Sequence, residues 1–158
     1  MELAGVLARW LLGWFFVYMG LNKVLHPVDF LKLVRQYEIV NSPLLLNSIA
    51  AALPWFEVFC GLLLLAGIAV RGSALMLLVM LVPFSLVVLR RAMELDATQR
   101  IPLCAVTFDC GCGGGEVVIC HKLLENCALI LLACGLLTGM GRRFSARYSL
   151  FQNSPPPK

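Results

Sequence analysis

Two thiols separated by a single glycine stand in the segment Asp109-Cys110-Gly111-Cys112-Gly113-Gly114-Gly115-Glu116. A pair at this spacing has three chemical outlets: a local disulfide, exchange with other cysteines, and metal ligation. The glycines leave the backbone open to an incoming sulfur, whereas Asp109 and Glu116 disfavour the thiolate. Redox exchange through Cys110 and Cys112 leads, with a structural disulfide and a metal site as alternatives. Cys104 and Cys120 flank the pair and are its natural partners, and either one would serve as a resolving thiol. His121 adds an alternative set for zinc or copper, Cys110, Cys112, Cys120 and His121, although its spacing fits no standard zinc ribbon. Seven cysteines cannot all pair within one chain. Cys120, Cys127 and Cys134 share a helical face, but neighbours seven residues apart are about 10 Å distant along the axis and cannot bridge. For Cys127 and Cys134, apolar packing is the leading reading.

The second chemical position is Glu57, an acid within an apolar run and expected about one turn below the surface that carries the cysteine loop. An ionisable group at that depth defaults to a functional or paired role. Lys23, at the same-side end of the first apolar run, is the plausible partner, so a structural ion pair and a proton-handling carboxylate are equally open. Cys60 follows at i+3, close to the same face.

These residues need apolar helices to hold them. Of the 158 residues, 60% are hydrophobic and only 14% charged, and the mean hydropathy is +0.86. The fold class is all-α: a polytopic membrane protein with a four-transmembrane-helix bundle and a short amphipathic helix after the first span. Spans are expected at about 4–25, 54–70, 73–89 and 117–137, with a Cys-rich loop at 104–116. Residues 1–141 form the membrane domain, and 142–158 form a basic, Pro-rich tail. The first run is retained as a span, because Glu2 precedes it, no small-x-small site follows, and Trp10, Trp14 and Tyr18 make it bulky. Within it, Arg9 is close enough to the start to snorkel, and Gly13 and Gly20 permit close helix contact. Between His26 and Ser42, Phe30, Leu33, Val34, Tyr37 and Val40 share one face, which suits a helix on the membrane surface or a cover over the bundle. His26 itself reads as a surface or capping residue. Pro54 is expected to break the run after Pro43, Arg71-Gly72 to form a tight connection, and Pro83 to kink span three.

No basic patch interleaved with aromatics appears, which sets nucleic-acid binding aside. Basic residues divide almost evenly between the two sides, but acids balance them mainly on the side of the cysteine loop. Net charge and the Arg142, Arg143, Arg147 cluster favour cytoplasmic termini, an inner-membrane location and a periplasmic or extracellular cysteine loop.

The order of these features resembles the MauE/DoxX family of small four-span membrane proteins, in its MauE-like branch. The resemblance is carried by Arg9…Leu12-Gly13…Phe16…Gly20…Lys23, Phe30…Tyr37, Pro54…Glu57…Gly61…Leu64…Gly67, Asp109-Cys110-Gly111-Cys112 and Glu125-Asn126, and it spans residues 5 to 140. It departs from the family in Gly113-Gly114, where Phe-Gly is usual, and in the longer lead-in from Asp96 to Phe108. The resemblance implies a thiol–disulfide oxidoreductase or electron relay of the membrane, working beside an extracytoplasmic thioredoxin-like partner. It also implies quinone-linked chemistry. Cys110 and Cys112 would be the dithiol, with Cys104 or Cys120 resolving, and Lys23, Glu57, Cys60 and Tyr37 would hold a quinone. The alternative class is a non-enzymatic scaffold, transporter or metal-handling protein that uses the same loop.

Overall fold

The computed structural model describes residues 2–36, 42–99, 103–105, 107–109 and 116–138. Helix α1 (Glu2–Leu25) is followed by the short α2 (Pro27–Gln36), then by α3 (Pro43–Ala66) and α4 (Val70–Gln99). A 3-10 turn at Leu103–Ala105 leads into an antiparallel pair, β1 (Thr107–Asp109) and β2 (Glu116–Val118), and α5 (Ile119–Leu137) closes the described chain. Four of the helices are long and apolar enough to cross a membrane, over Leu3–Leu25, Pro43–Ala66, Val70–Leu95 and Ile119–Leu137. The chain is thus a four-span helical bundle with one extra short helix.

Several boundaries differ from the sequence expectation. Helix α3 begins at Pro43 and runs unbroken through Pro54. Proline removes only one i→i−4 hydrogen bond, and a helix inside a bundle absorbs that loss through its neighbours. The α3–α4 connection is Gly67–Ala69 rather than Arg71-Gly72. Gly67 adopts φ 75°, its N–H donates to the Leu64 carbonyl, and the Ile68 N–H donates to that of Leu63. Those two bonds satisfy the last carbonyls of α3 in a Schellman arrangement, for which glycine carries no Cβ penalty. Helix α4 passes Arg90-Arg91 and Pro83 without ending, and Glu94 accepts from both Arg90 and Arg91 at 3.0 and 3.4 Å. At the other end of the chain, Glu116–Val118 is strand, so α5 starts at Ile119.

Packing is organised as two helix pairs, α1 with α3 and α4 with α5. The first pair is close because glycines remove side chains where the helices meet. A Cβ on Gly61 would lie 2.8 Å from the Gly13 carbonyl oxygen, and one on Gly20 would lie 2.9 Å from that of Pro54. Leu12, Leu64, Leu77 and Leu136 fill the centre, while Trp10, Trp14, Tyr18, Trp55, Phe59, Leu86 and Leu131 face outward where lipid would lie. Arg9 is buried against the bundle.

Gly61→Ala is expected to destabilise the protein by about 1–3 kcal/mol, since the added methyl meets backbone. Gly72→Ala meets nothing within 4 Å and should change stability by no more than about 1 kcal/mol. Thermal unfolding in detergent compares the two, and equal midpoints would contradict the close α1–α3 contact.

Candidate functional site

Between the two helix pairs, beneath α2, lies a cavity of about 300 Å³. Its walls come from all five helices and are mostly apolar, with Phe15, Phe16 and Phe30 at one side and Pro83, Phe84 and Val87 at the other. Four polar residues line it: Lys23, Glu57, Lys122 and Asn126.

Lys23, in the last turn of α1, places its Nζ 2.7 Å from both Oε1 and Oε2 of Glu57. Their side chains are only 10% and 8% exposed. Because α3 starts at Pro43, Glu57 stands roughly 21 Å along that helix rather than one turn below its start, yet it is level with the last turn of α1. The same ammonium lies 5.3 Å from the centre of the Phe30 ring, which α2 buries against the bundle. The amphipathic segment therefore acts as a cover, with Phe30 and Val34 forming part of the cavity roof.

Helix α5 supplies the opposite polar wall. Lys122 donates to Glu125 Oε2 at 3.0 Å and sits 5.7 Å from the Phe15 ring. Asn126 donates through Nδ2 to Ser85 Oγ at 3.0 Å, and Ser85 in turn donates to the Leu81 carbonyl at 2.7 Å. A hydroxyl has one proton; because Ser85 gives it to Leu81, the hydroxyl must accept from Asn126, and this fixes the amide orientation.

Just before these residues on α5, Cys120 forms a disulfide with Cys104, with Cα atoms 5.0 Å apart. The bond clips the 3-10 turn, and the hairpin that follows it, onto the first turn of α5. Strands β1 and β2 pair Thr107 with Val118, Phe108 with Val117 and Asp109 with Glu116, so they bracket residues 110–115 in the chain. A family model described as "Methylamine utilisation protein MauE" matches residues 1–139. The chain belongs to the MauE family. No curated protein and no solved structure matches it.

The structure of this MauE member groups the expected site residues unevenly. Lys23 and Glu57 meet, as their charges in apolar helices suggested. Cys60 does not join them at the cavity: it is buried in the apolar core beside Leu12 and Leu64. Three residues of helix turn a side chain by about 300°, enough to carry it off the cavity wall. Cys104 and Cys120 bond each other. That bond also removes Cys120 from the alternative metal set, leaving Cys110, Cys112 and an exposed His121. Cys110, Cys112 and Tyr37 lie outside the described residues. Cys127 and Cys134 are free thiols on the outer face of α5, not buried packing residues. Lys122 was missed, although a lysine inside the fourth apolar run is the same kind of signal as Glu57.

Removing one member of the buried pair leaves a charge in an apolar wall. Lys23→Met should cost about 3–5 kcal/mol, and adding Glu57→Met should recover most of it, because the desolvation penalty then disappears with the pair. Denaturant unfolding in detergent checks both. A single variant as stable as the parent would show that the pair carries no structural load.

Proposed function

We propose that this MauE-family protein is a membrane thiol–disulfide oxidoreductase that exchanges disulfides with an extracytoplasmic thioredoxin-like protein and is coupled to quinone. The observation that carries this reading is the Cys104–Cys120 disulfide at the base of the hairpin whose connecting segment contains Cys110 and Cys112. Two dithiol/disulfide couples in one short stretch are what a relay requires, and family membership supports a redox-associated role.

Written in the oxidising direction, a thiolate of the reduced partner attacks the Cys110–Cys112 disulfide and forms a mixed disulfide. The partner's second thiolate then attacks its own sulfur in that bond, which releases an oxidised partner and a reduced Cys110/Cys112 pair. Attack of that pair on Cys104–Cys120 moves the two electrons inward and regenerates the outer disulfide. The Cys104/Cys120 dithiol then needs a two-electron oxidant, and a quinone would supply that chemistry by taking up the two electrons and two protons. Each step is reversible, and its direction follows the relative potentials. Glu57, paired with Lys23, is the carboxylate available to handle those protons. A disulfide at this surface favours an oxidising compartment, hence cytoplasmic termini, a periplasmic or extracellular loop and an inner-membrane location.

A second reading takes the same disulfide as a static clip, which would make the chain a scaffold whose loop docks a partner. The two readings separate on trapping. A thioredoxin-like partner whose second thiol is replaced by Ser attacks the Cys110–Cys112 disulfide but cannot release itself, so a mixed disulfide accumulates on non-reducing gels and disappears with dithiothreitol. Cys110→Ser or Cys112→Ser removes the disulfide that is attacked and should abolish the trapped species. The absence of any mixed disulfide between that partner and the parent chain would overturn the relay and leave the scaffold.

A further inference from the structure

The two sulfurs of the Cys104–Cys120 disulfide stand in unlike surroundings. Cys104 belongs to the 3-10 turn Leu103–Ala105, where it is exposed together with Ala105. Cys120 is half-buried, at the second position of α5. The first turn of that helix is held against α4, because Ile119 is fully buried beside Val88 and Ala92. Which sulfur an incoming thiolate attacks depends on access, and access favours Cys104.

The departing sulfur is the other half of the choice. A disulfide opens faster when the thiolate that leaves is stabilised. The first N–H groups of a helix have no carbonyl one turn before them, and their partial positive charge favours an anion at that end. In α5 this end carries no side-chain cap. Its N-cap is Val118, which makes no cap hydrogen bond, and the first turn holds no acid. Negative charge arriving on Cys120 Sγ therefore meets N–H groups that lack an intrahelical acceptor. Cys104, in a single 3-10 turn, has no comparable helix end.

We propose that Cys104 is the sulfur attacked in this disulfide and that Cys120 is the leaving thiolate, stabilised by the N-terminus of α5. The bond from the incoming sulfur to Cys104 Sγ forms as the Cys104–Cys120 bond breaks. The electron pair of the broken bond stays on Cys120. The proposal rests on the relay reading only for its natural attacker: there the inner mixed disulfide joins Cys110 or Cys112 to Cys104. Any thiolate meets the same two sulfurs, so a small thiol tests the choice apart from the relay.

The test uses the full chain in detergent carrying Cys110→Ser and Cys112→Ser, which leaves the Cys104–Cys120 pair in place. Free thiols are blocked with N-ethylmaleimide before a brief pulse of mercaptoethanol. The released thiol is then captured with deuterated N-ethylmaleimide and both sulfurs are mapped by mass spectrometry. Mercaptoethanol on Cys104 with the heavy label on Cys120 should exceed the reverse pattern by roughly tenfold. Val118→Asn supplies a neutral cap acceptor that competes for the same N–H groups. It should slow the opening by roughly threefold to tenfold without lowering the thermal midpoint. The reverse labelling, an even mixture, or a disulfide that does not open overturns the assignment, as does an unchanged rate in folded Val118→Asn. Selective opening at Cys104 with no trapped thioredoxin-like partner would leave the assignment standing and the relay fallen; a trapped partner with opening at Cys120 would do the reverse.

Discussion

The buried ion pair between Lys23 and Glu57 is the constraint on which the rest of this bundle turns. A carboxylate in the interior of α3 is tolerable only with a cation held against it, and that cation comes from the end of α1. The two helices can bring those groups to 2.7 Å because Gly13, Gly20 and Gly61 let their backbones approach. The pair in turn shapes what surrounds it. Phe30 packs over the ammonium and draws α2 across the end of the bundle, and the space left beneath that cover is the polar-ended cavity. Closing one unfavourable charge has thus produced a roofed pocket between helix pairs.

A second fixed point lies on α5. The Cys104–Cys120 disulfide anchors the hairpin to the first turn of the same helix that carries Lys122 and Asn126 into the cavity. The disulfide and the polar end of the cavity therefore stand half a turn to two turns apart on one helix.

Much of this was legible in the residues. Glu57 and Lys23 stood out because charge in an apolar run is costly and demands a partner, and the seven-residue spacing of Gly13 and Gly20 marked a contact face. The shared face of Phe30 and Val34 left a surface helix and a cover both open, and the cavity beneath α2 decides for the cover. Other features were hidden for physical reasons. Pro54 looks like a stop when only local hydrogen bonding is counted, but bundle contacts carry α3 through it. Disulfide connectivity depends on which cysteines the hairpin brings together, and linear spacing could not reveal that Cys104 meets Cys120 rather than Cys110 or Cys112. The rotation that sends Cys60 into the core became decisive only once the position of α1 was known. Lys122 lies within one turn of Glu125, so the sequence alone reads as a local surface ion pair, and only the packing of α5 shows that it lines the cavity.

The central claim is that the cysteines of the loop change partners. Membranes quenched in acid, with free thiols alkylated and every cysteine mapped by mass spectrometry before and after addition of a quinone analogue, test it most directly. The account predicts that Cys110 and Cys112 shift between dithiol and disulfide, with a minor species linking one of them to Cys104 or Cys120. Pairing that stays the same under every redox poise would contradict it.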